Sequence, residues 1–426
     1  MAKRIPNGAE TCGRRAVNMR RTFLLLQGPA TPFFARLADR LLADGHRVFK
    51  MIFNAGDWAY WAPRACWHFR GRPESLRDFL DDKYRKFGIT DQILFGDRRP
   101  VHRPAVEHAE VGGVRTHVYE EGYFRPYWVT LERRGVKGQS LLPRDPDWFR
   151  KVGGHLSDPP QPLWRPAPFR TRAVHDVLYH LAGMTNPVFF QRYRTHAPLS
   201  AAVEYAGYMK RLPMVRLWHG PREADQIAAL LHSGKPFYLL PLQLNSDAQI
   251  RDHSRFADMR PMVEYVMESF VRGADADACL VVKNHPLDPG LAHHARMIAA
   301  AAARFGIAGR VLYLESGDLE LLLRHARGCV TVNSTVGIVA LGLGCPTATL
   351  SDPIYNLPGL TFQGELDHFW REGGKPDAEL FGRFRRVVMH ATQIDGGLYC
   401  RAGIALAVEN SLPILTSESS PLETLR

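Results

Sequence analysis

The sequence predicts an α/β protein made of two Rossmann-like domains facing each other across a cleft. Three observations predict it. The chain has 426 residues, enough for two or three domains of ordinary size. Apolar strands alternate with helical stretches in both halves, the rhythm of parallel βαβ units. In the second half, polar residues gather at the ends of successive strands, where open α/β sheets bind ligands. A hydrophobic share of 45% and a charged share of 23% are ordinary for a globular protein and exclude a disordered chain, a collagen or a coiled coil.

Taken in order, residues 22–27 (Thr-Phe-Leu-Leu-Leu-Gln) read as a buried strand ended by Gly28-Pro29. Phe33, Phe34, Leu37, Ala38, Leu41 and Leu42 share one helical face, Gly45 closes that helix, and residues 47–53 are the next strand. The first turn of this unit lacks the full G-x-G-x-x-G pattern, so no nicotinamide site is indicated. Residues 92–95 and 116–120 are further strands, ending at Gly96-Asp97 and Glu121-Gly122. Residues 133–175 are rich in Arg, Pro and Gly and read as loop and linker; 175–230 return to helical patterning with many aromatic and basic residues. The second half offers strands at 236–242, 279–283, 310–314, 329–332 and 346–350, and a short helix over 318–324. The expected division is a disordered arm over 1–20, a first domain with a basic insert over 21–225, a second domain over 226–395, and a tail over 396–426. The tail is expected to begin as a helix crossing back to the first domain, with 412–426 frayed.

Charge is uneven. Of 55 Lys+Arg and 43 Asp+Glu, residues 231–426 hold 18 and 21, leaving 37 and 22 in residues 1–230; the net +12 is therefore −3 in the second part and +15 in the first. Such a basic half favours an anionic partner: nucleic acid, an acidic sugar or an anionic membrane surface. No groove-reading motif supports nucleic acid. The stretch 164–216 mixes Trp, Phe, Tyr and Leu with many Arg, a pattern that suits either an anionic membrane interface or a packed insert with a solvated basic face.

The six cysteines, Cys12, Cys66, Cys279, Cys329, Cys345 and Cys400, form no C-x-x-C pair. That argues against a zinc ribbon and for free thiols in a reducing compartment. The uncharged run 328–351 is broken by Asn333, four glycines and Pro346, which fits a buried strand and helix better than a bilayer span of ~20 apolar residues. No signal peptide is read in the first 21 residues, so the expected location is cytoplasmic, with a membrane surface as the place of rest.

The candidate residues sit at strand ends. Asn333-Ser334-Thr335 lies where a strand gives way to a helix; Ser334 and Thr335 read equally as caps and as an anion site on free backbone N–H groups. Lys283-Asn284-His285-Pro286 follows another strand, where a lysine and a histidine suit a phosphate leaving group and Pro286 restricts His285; the plainer reading is a surface loop. Gln243 and Asn245 suit hydrogen bonds to a base or a sugar, or simple turn capping. Glu120 and Glu121 end a strand in the basic half. Successive strand residues point to opposite faces, so only one of the two faces a cleft unless the turn begins there. That carboxylate would serve as nucleophile or general base; the plainer reading is an acidic turn.

Several segments taken in order carry a resemblance. They are 23–29 (Phe-Leu-Leu-Leu-Gln-Gly-Pro), 53–57 (Phe-Asn-Ala-Gly-Asp), 120–126 (Glu-Glu-Gly-Tyr-Phe-Arg-Pro), 241–251 (Pro-Leu-Gln-Leu-Asn-Ser-Asp-Ala-Gln-Ile-Arg), 282–288 (Val-Lys-Asn-His-Pro-Leu-Asp), 333–337 (Asn-Ser-Thr-Val-Gly) and 357–363 (Leu-Pro-Gly-Leu-Thr-Phe-Gln). With these the chain resembles, over roughly residues 22–400, the capsular polysaccharide biosynthesis and export family of GT-B-like, CMP-sugar-dependent glycosyltransferases, and within it the KpsS-type Kdo transferases.

The resemblance implies a retaining transferase that moves the acidic sugar Kdo from CMP-Kdo to phosphatidylglycerol or its lyso form. This would start the poly-Kdo linker of a capsule glycolipid at the cytoplasmic face of the bacterial inner membrane. Glu121 takes the place of the Asp proposed as nucleophile in related enzymes, with Glu120 beside it. Gln243, Asn245, Lys283, His285, Pro286, Asn333, Ser334 and Thr335 are expected on the nucleotide side, and Gln27, Gly28 and Arg125 on the sugar or acceptor side. No metal or other cofactor is expected, since fixed donors can do the electrostatic work. The implied partners are CMP-Kdo, the anionic lipid and capsule-assembly proteins including the next Kdo transferase, with no nucleic acid. The alternatives are a transferase for another CMP-sugar of sialic-acid type and a non-enzymatic capsule export factor.

Overall fold

A computed structural model describes residues 20–194, 200–244, 256 and 258–426. The expected arm over 1–20 lies, apart from Arg20, outside the described residues. Strands β1 (Thr22–Leu25), β2 (Arg47–Ile52), β3 (Trp67–His68), β4 (Asp91–Phe95) and β5 (Arg115–Glu121) are parallel neighbours in the order β3-β2-β1-β4-β5, and β6 (Trp128–Arg133) runs antiparallel beside β5. Strands β7 (Phe237–Pro241), β8 (Cys279–Lys283), β9 (Val311–Leu314), β10 (Gly328–Thr331) and β11 (Thr347–Thr349) form a second, wholly parallel sheet in the order β9-β8-β7-β10-β11. Both orders are the Rossmann order, which reverses beside the first strand and opens a crevice at the carboxyl ends there. Strand β12 (Gln393–Asp395) then returns to pair antiparallel with β6.

The central strands β1 and β7 are nearly all apolar and are buried on both faces. In β1, Phe23 and Leu25 join Phe33, Leu37 and Leu41 on one side, while Leu24 and Leu26 join Leu76, Leu80 and Ala105 on the other. In β7, Tyr238 and Leu240 face Val263, Phe270 and Trp370, while Phe237 and Leu239 face Ile227, Leu322 and Leu323.

Two expectations change. Residues 133–175 contain a helix, Pro146–Gly154, with Pro146 at its start and the Asp145 carboxylate accepting from the Asp147 N–H. Its Phe149 packs on Phe384 of the helix Ala378–Thr392, so its apolar pattern is completed by a partner far along the chain. The tail is not frayed over 412–426. The helix Arg401–Thr416 packs on the helix Phe33–Ala43, and Pro421–Leu425 is held by a capping box of Ser420 and Glu423 with Leu422 buried. Arg21 and Arg133 also donate to the carbonyls of Thr416, Ser417 and Glu418.

The basic insert is helical. Its helix Phe169–Gly183 has no buried residue, yet it lies against the helix Ala55–Trp61. There a Cβ on Gly56 would fall 2.6 Å from the Tyr179 carbonyl oxygen, so only glycine allows the approach. Asn54 caps the same helix through the Asp57 N–H, and Asp57 pairs with buried Lys50 at 2.7 Å. The 53–57 segment thus seats the insert. Among the described residues no helix is long and apolar enough to cross a membrane, and the cysteines Cys66, Cys279, Cys329, Cys345 and Cys400 are unpaired.

Candidate functional site

The carboxyl ends of the two sheets meet at a cavity of about 340 Å³. From the first sheet it is lined by Glu121, Tyr123, Arg125 and Lys137; from the second by Gln243, His285, the step Asn333-Ser334-Thr335 and residues 351–355. Glu121, Arg125, Gln243, His285, Asn333, Ser334 and Thr335, far apart in sequence, are therefore brought together. Among the described residues no three of His, Cys, Asp and Glu converge as a metal site would need.

Glu121 ends β5 with its side chain 16% exposed. Its Oε1 accepts from the Tyr399 hydroxyl at 2.5 Å and pairs with Arg172 Nη1 at 3.2 Å; its Oε2 lies 3.7 Å from Arg125 Nε. Burial acts to raise its pKa, but Arg125, Arg172 and the Tyr399 hydrogen bond outweigh it and hold the carboxyl below its ordinary value. An ionised carboxylate, hydrogen-bonded by Tyr399, flanked by two guanidinium groups and open to a cavity, is suited to nucleophilic attack.

Glu120 does not line the cavity. Its Oε1 accepts the backbone N–H of Glu121 at 3.0 Å and its Oε2 lies 3.6 Å from Lys137 Nζ. The strand alternation that separates the two carboxylates also makes Glu120 a support for Glu121.

On the opposite wall, Gln243 and Asn333 bridge the crevice between β7 and β10. Gln243 Nε2 donates to Asn333 Oδ1 at 3.0 Å, and the Asn333 N–H donates to Gln243 Oε1 at 3.3 Å. Ser334 Oγ accepts from the Val336 N–H at 3.2 Å, and the Ser334 carbonyl accepts from the Tyr355 hydroxyl at 2.6 Å. Thr335 precedes the helix Val336–Gly342 without a side-chain cap bond. His285 Nδ1 accepts the Leu287 N–H at 3.1 Å. The neutral ring then carries its proton on Nε2, which makes that nitrogen the donor.

Other expected residues stand elsewhere. Lys283 is nearly fully buried, with Nζ 3.5 Å from the Asn284 carbonyl, and burial lowers its pKa. It does not line the cavity. Neither does exposed Pro286, whose carbonyl accepts from Arg211. Gln27 and Gly28 occupy the corresponding crevice of the first sheet, but the insert plugs it. Gln27 Nε2 donates to the Tyr179 hydroxyl at 2.8 Å, and the Gly28 N–H meets Asp57 Oδ1 at 3.3 Å. Asn245 lies outside the described residues.

Several residues carried no sequence signal we used. Ser351 to Tyr355 follow β11 and obey the same strand-end rule, so that rule could have found them. Tyr123 is anchored by Glu132, whose Oε1 accepts from its hydroxyl at 2.8 Å, while the Lys137 N–H donates to the same hydroxyl at 2.6 Å. Burial pushes the Glu132 carboxyl up to about 7. Arg172 and Arg211 both come from the insert. Arg211, also nearly buried, pairs with Glu315 at 2.8 Å and donates to the carbonyls of His285, Pro286, Asp288 and Glu315. It is a positioning residue for the loop that carries His285.

Comparison with known proteins gives a consistent result. The family described as capsule polysaccharide biosynthesis protein matches residues 90–399. The chain is 35% identical over 380 residues to the capsule polysaccharide export protein KpsS of Escherichia coli, covering 88% of this chain and 96% of that one. It is 35% identical over 387 residues to the capsule polysaccharide modification protein LipB of Neisseria meningitidis serogroup B, covering 88% and 91%. Among solved structures it is similar to KpsC, beta Kdo 2,7 transferase, of Thermosulfurimonas dismutans, with 13% identity, a TM-score of 0.43 and coverage of 92% and 99%.

Proposed function

The chain belongs to the capsule polysaccharide biosynthesis protein family, and from that premise we propose that it is a retaining glycosyltransferase moving Kdo from CMP-Kdo to phosphatidylglycerol or its lyso form. The observation that carries this reading is the ionised Glu121 carboxylate facing His285 and the Asn333–Thr335 step across one cavity. The relatives' names, export and modification of capsule polysaccharide, fit a protein that starts the lipid-linked end of such a chain.

In the first step Glu121 attacks the anomeric carbon, the carbon–oxygen bond to the CMP phosphate breaks, and CMP leaves with the electron pair. The His285 Nε2–H and the polar groups of Asn333, Ser334 and Thr335 are the donors for that leaving phosphate. In the second step the acceptor hydroxyl attacks the same carbon, the bond to Glu121 breaks, and the hydroxyl proton goes to solvent. Two inversions give net retention. Glu120 holds the Glu121 backbone and takes no proton.

The protein works at the cytoplasmic face of the inner membrane, held there by the insert. Residues 163–222 carry nine Lys+Arg against two Asp+Glu, and the helix Phe169–Gly183 exposes Phe169, Val174, Leu178 and Leu181. That combination suits an anionic lipid interface. Failure to float with anionic liposomes at moderate salt would remove this placement.

The deciding experiment generates CMP-Kdo in situ, adds a fluorescent phosphatidylglycerol analogue and reads the product by mass spectrometry. Wild type should add one Kdo; Glu121→Gln and His285→Ala should not. The mechanism falls if Glu121→Gln keeps wild-type turnover or if the product is inverted. No product with this donor on any acceptor would favour another CMP-sugar or a non-enzymatic export role.

A further inference from the structure

The insert holds both walls of the cleft. Its helix Phe169–Gly183 carries Arg172, whose Nη1 lies 3.2 Å from Glu121 Oε1 and whose guanidinium covers the Tyr399 ring at 5.0 Å. His175 of the same helix has its Nε2 3.2 Å from the Tyr399 carbonyl, and the Tyr399 hydroxyl donates to Glu121. One helix therefore fixes both the carboxylate and the tyrosine that bonds it.

The opposite wall is tied to a second helix. Ala201–Met214 continues through the π turn Val215–His219 into Gly220–His232. On it the Tyr208 hydroxyl donates to the Leu287 carbonyl at 2.9 Å, and Arg211 holds the carbonyls of His285, Pro286 and Asp288. Gly207 comes so close to the same loop that a Cβ would fall 2.4 Å from the Pro289 carbonyl oxygen. Further along, Glu223 accepts the N–H groups of Glu315 and Ser316 at 2.9 and 2.8 Å. The loop that carries His285 is thus set by this helix.

The two helices meet where the Tyr205 hydroxyl donates to Asp176 Oδ2 at 2.8 Å and lies 3.0 Å from His180 Nδ1. Arg172, Asp176 and His180, at i, i+4 and i+8, share one face of the helix Phe169–Gly183. Val174, Leu178 and Leu181, at i, i+4 and i+7, share the opposite face and are exposed. The gripping side of this helix therefore points inward and its apolar side outward. Yet none of its residues is fully buried, so its seat rests on polar contacts, the kind of seat that opens readily.

We propose that the insert couples the two events: docking of its apolar face on a bilayer seats the helix Phe169–Gly183, and the Asp176–Tyr205 contact passes that seating to the His285 loop, so membrane binding tightens the nucleotide site. Asp176 and Tyr205 are positioning residues in this device; neither lines the cavity. A bilayer that binds the seated helix better than the unseated one shifts the balance by that difference in affinity. Linkage then requires the reverse, that bound nucleotide tightens membrane binding by the same factor. The donor is held tightly only where a lipid acceptor is at hand, which limits its loss to water elsewhere. This inference rests on the membrane placement and the nucleotide assignment proposed above.

The test measures CMP binding to the full chain by titration calorimetry, in solution and on vesicles of phosphatidylcholine with phosphatidic acid. Phosphatidic acid supplies the negative charge but no headgroup alcohol, so no transfer intervenes. CMP should bind at least about fivefold tighter on these vesicles than in solution, the low end of such couplings. Saturating CMP should raise the affinity for the same vesicles, read by flotation, by the same factor. Tyr205→Phe keeps the ring and loses the hydroxyl; Asp176→Ala removes the acceptor. Both should float as wild type does and lose the gain in CMP affinity, which a residue of merely structural use would leave in place. Flotation of the wild type with unchanged CMP affinity, or a full gain in both variants, would overturn this inference and leave the proposed function standing. Failure to float would remove the membrane placement and this inference with it. A gain in CMP affinity without Kdo transfer in the assay above would overturn the donor assignment alone.

Discussion

Replacing Arg211 by alanine tests whether the insert sets the loop that carries His285. The guanidinium and Glu315 form an ion pair whose side chains are 8% and 18% exposed. Removing one partner of such a buried pair costs about 3–5 kcal/mol. Here Glu315 retains two donors, Asn284 Nδ2 at 3.0 Å and the Tyr313 hydroxyl at 2.8 Å. The released carbonyl of Pro286 belongs to an exposed residue, while that of Asp288 is buried. The loss therefore belongs near the low end, about 3 kcal/mol. At 2–4 °C per kcal/mol for a domain of 150–250 residues, melting should fall by roughly 6–12 °C. Hydrogen exchange should quicken at Leu287, Asp288 and Gly290, whose N–H groups bond within the loop. The KM for the donor should rise more than kcat falls, as expected of a residue that positions and does not react. Arg211→Lys should recover only part of the loss, since an ammonium cannot fork across several carbonyls. A variant that melts within about 1 °C of wild type, with unchanged exchange in this loop, would refute the reasoning.

Two further predictions follow from buried contacts. The Glu132 carboxyl, raised by burial from 4.5 to about 7, binds its proton more tightly in the folded chain than in the unfolded one. Its contribution to stability is then full below pH 4.5 and is lost as pH rises to about 7, on the order of 3 kcal/mol in all. Glu132→Gln should remove that decline, so the melting temperatures of the two proteins should diverge across this window in the variant's favour; parallel curves would contradict it. At Gly337 a Cβ would fall 2.5 Å from Cζ of the fully buried Tyr355, whose hydroxyl fixes the Ser334 carbonyl. Gly337→Ala should cost about 1–3 kcal/mol through overpacking and weaken donor nucleotide binding in a titration; unchanged binding would show that Tyr355 does not set the Asn333–Thr335 step.

The parallel core of both sheets was legible because its strands are short apolar runs at regular spacing. What escaped were strands without that pattern. β6 contains Thr130, Glu132 and Arg133, and β3 and β12 are only two and three residues long. At the site, the strand-end rule led to Glu121, His285 and Asn333 because those positions depend on local chain geometry alone. Lys283 ends β8 with its side chain buried and away from the cavity lining, a placement that the strand-end rule does not distinguish. Gln27 and Gly28 hold the right place in the first sheet, but a tyrosine 152 residues away fills the crevice they would open into. Tyr399, 278 residues beyond Glu121, is equally invisible to any local pattern.

The return of β12 to the edge of β6 has a consequence for how the chain is made. The first domain is discontinuous: its sheet and its Phe33–Ala43 helix are completed only by residues beyond 392. On the ribosome, at 5–20 residues per second, β6 waits roughly 13–52 s for its outer neighbour. During that interval an unpaired edge is open to other chains, and Glu132 and Arg133 at its end are the kind of charged residues that discourage such pairing. The strands of the second sheet, the last ending at Thr349, are all made before β12 begins at Gln393. Biogenesis is therefore set to run backwards through the sequence, with the second sheet finished first and the Glu121 side sealed last.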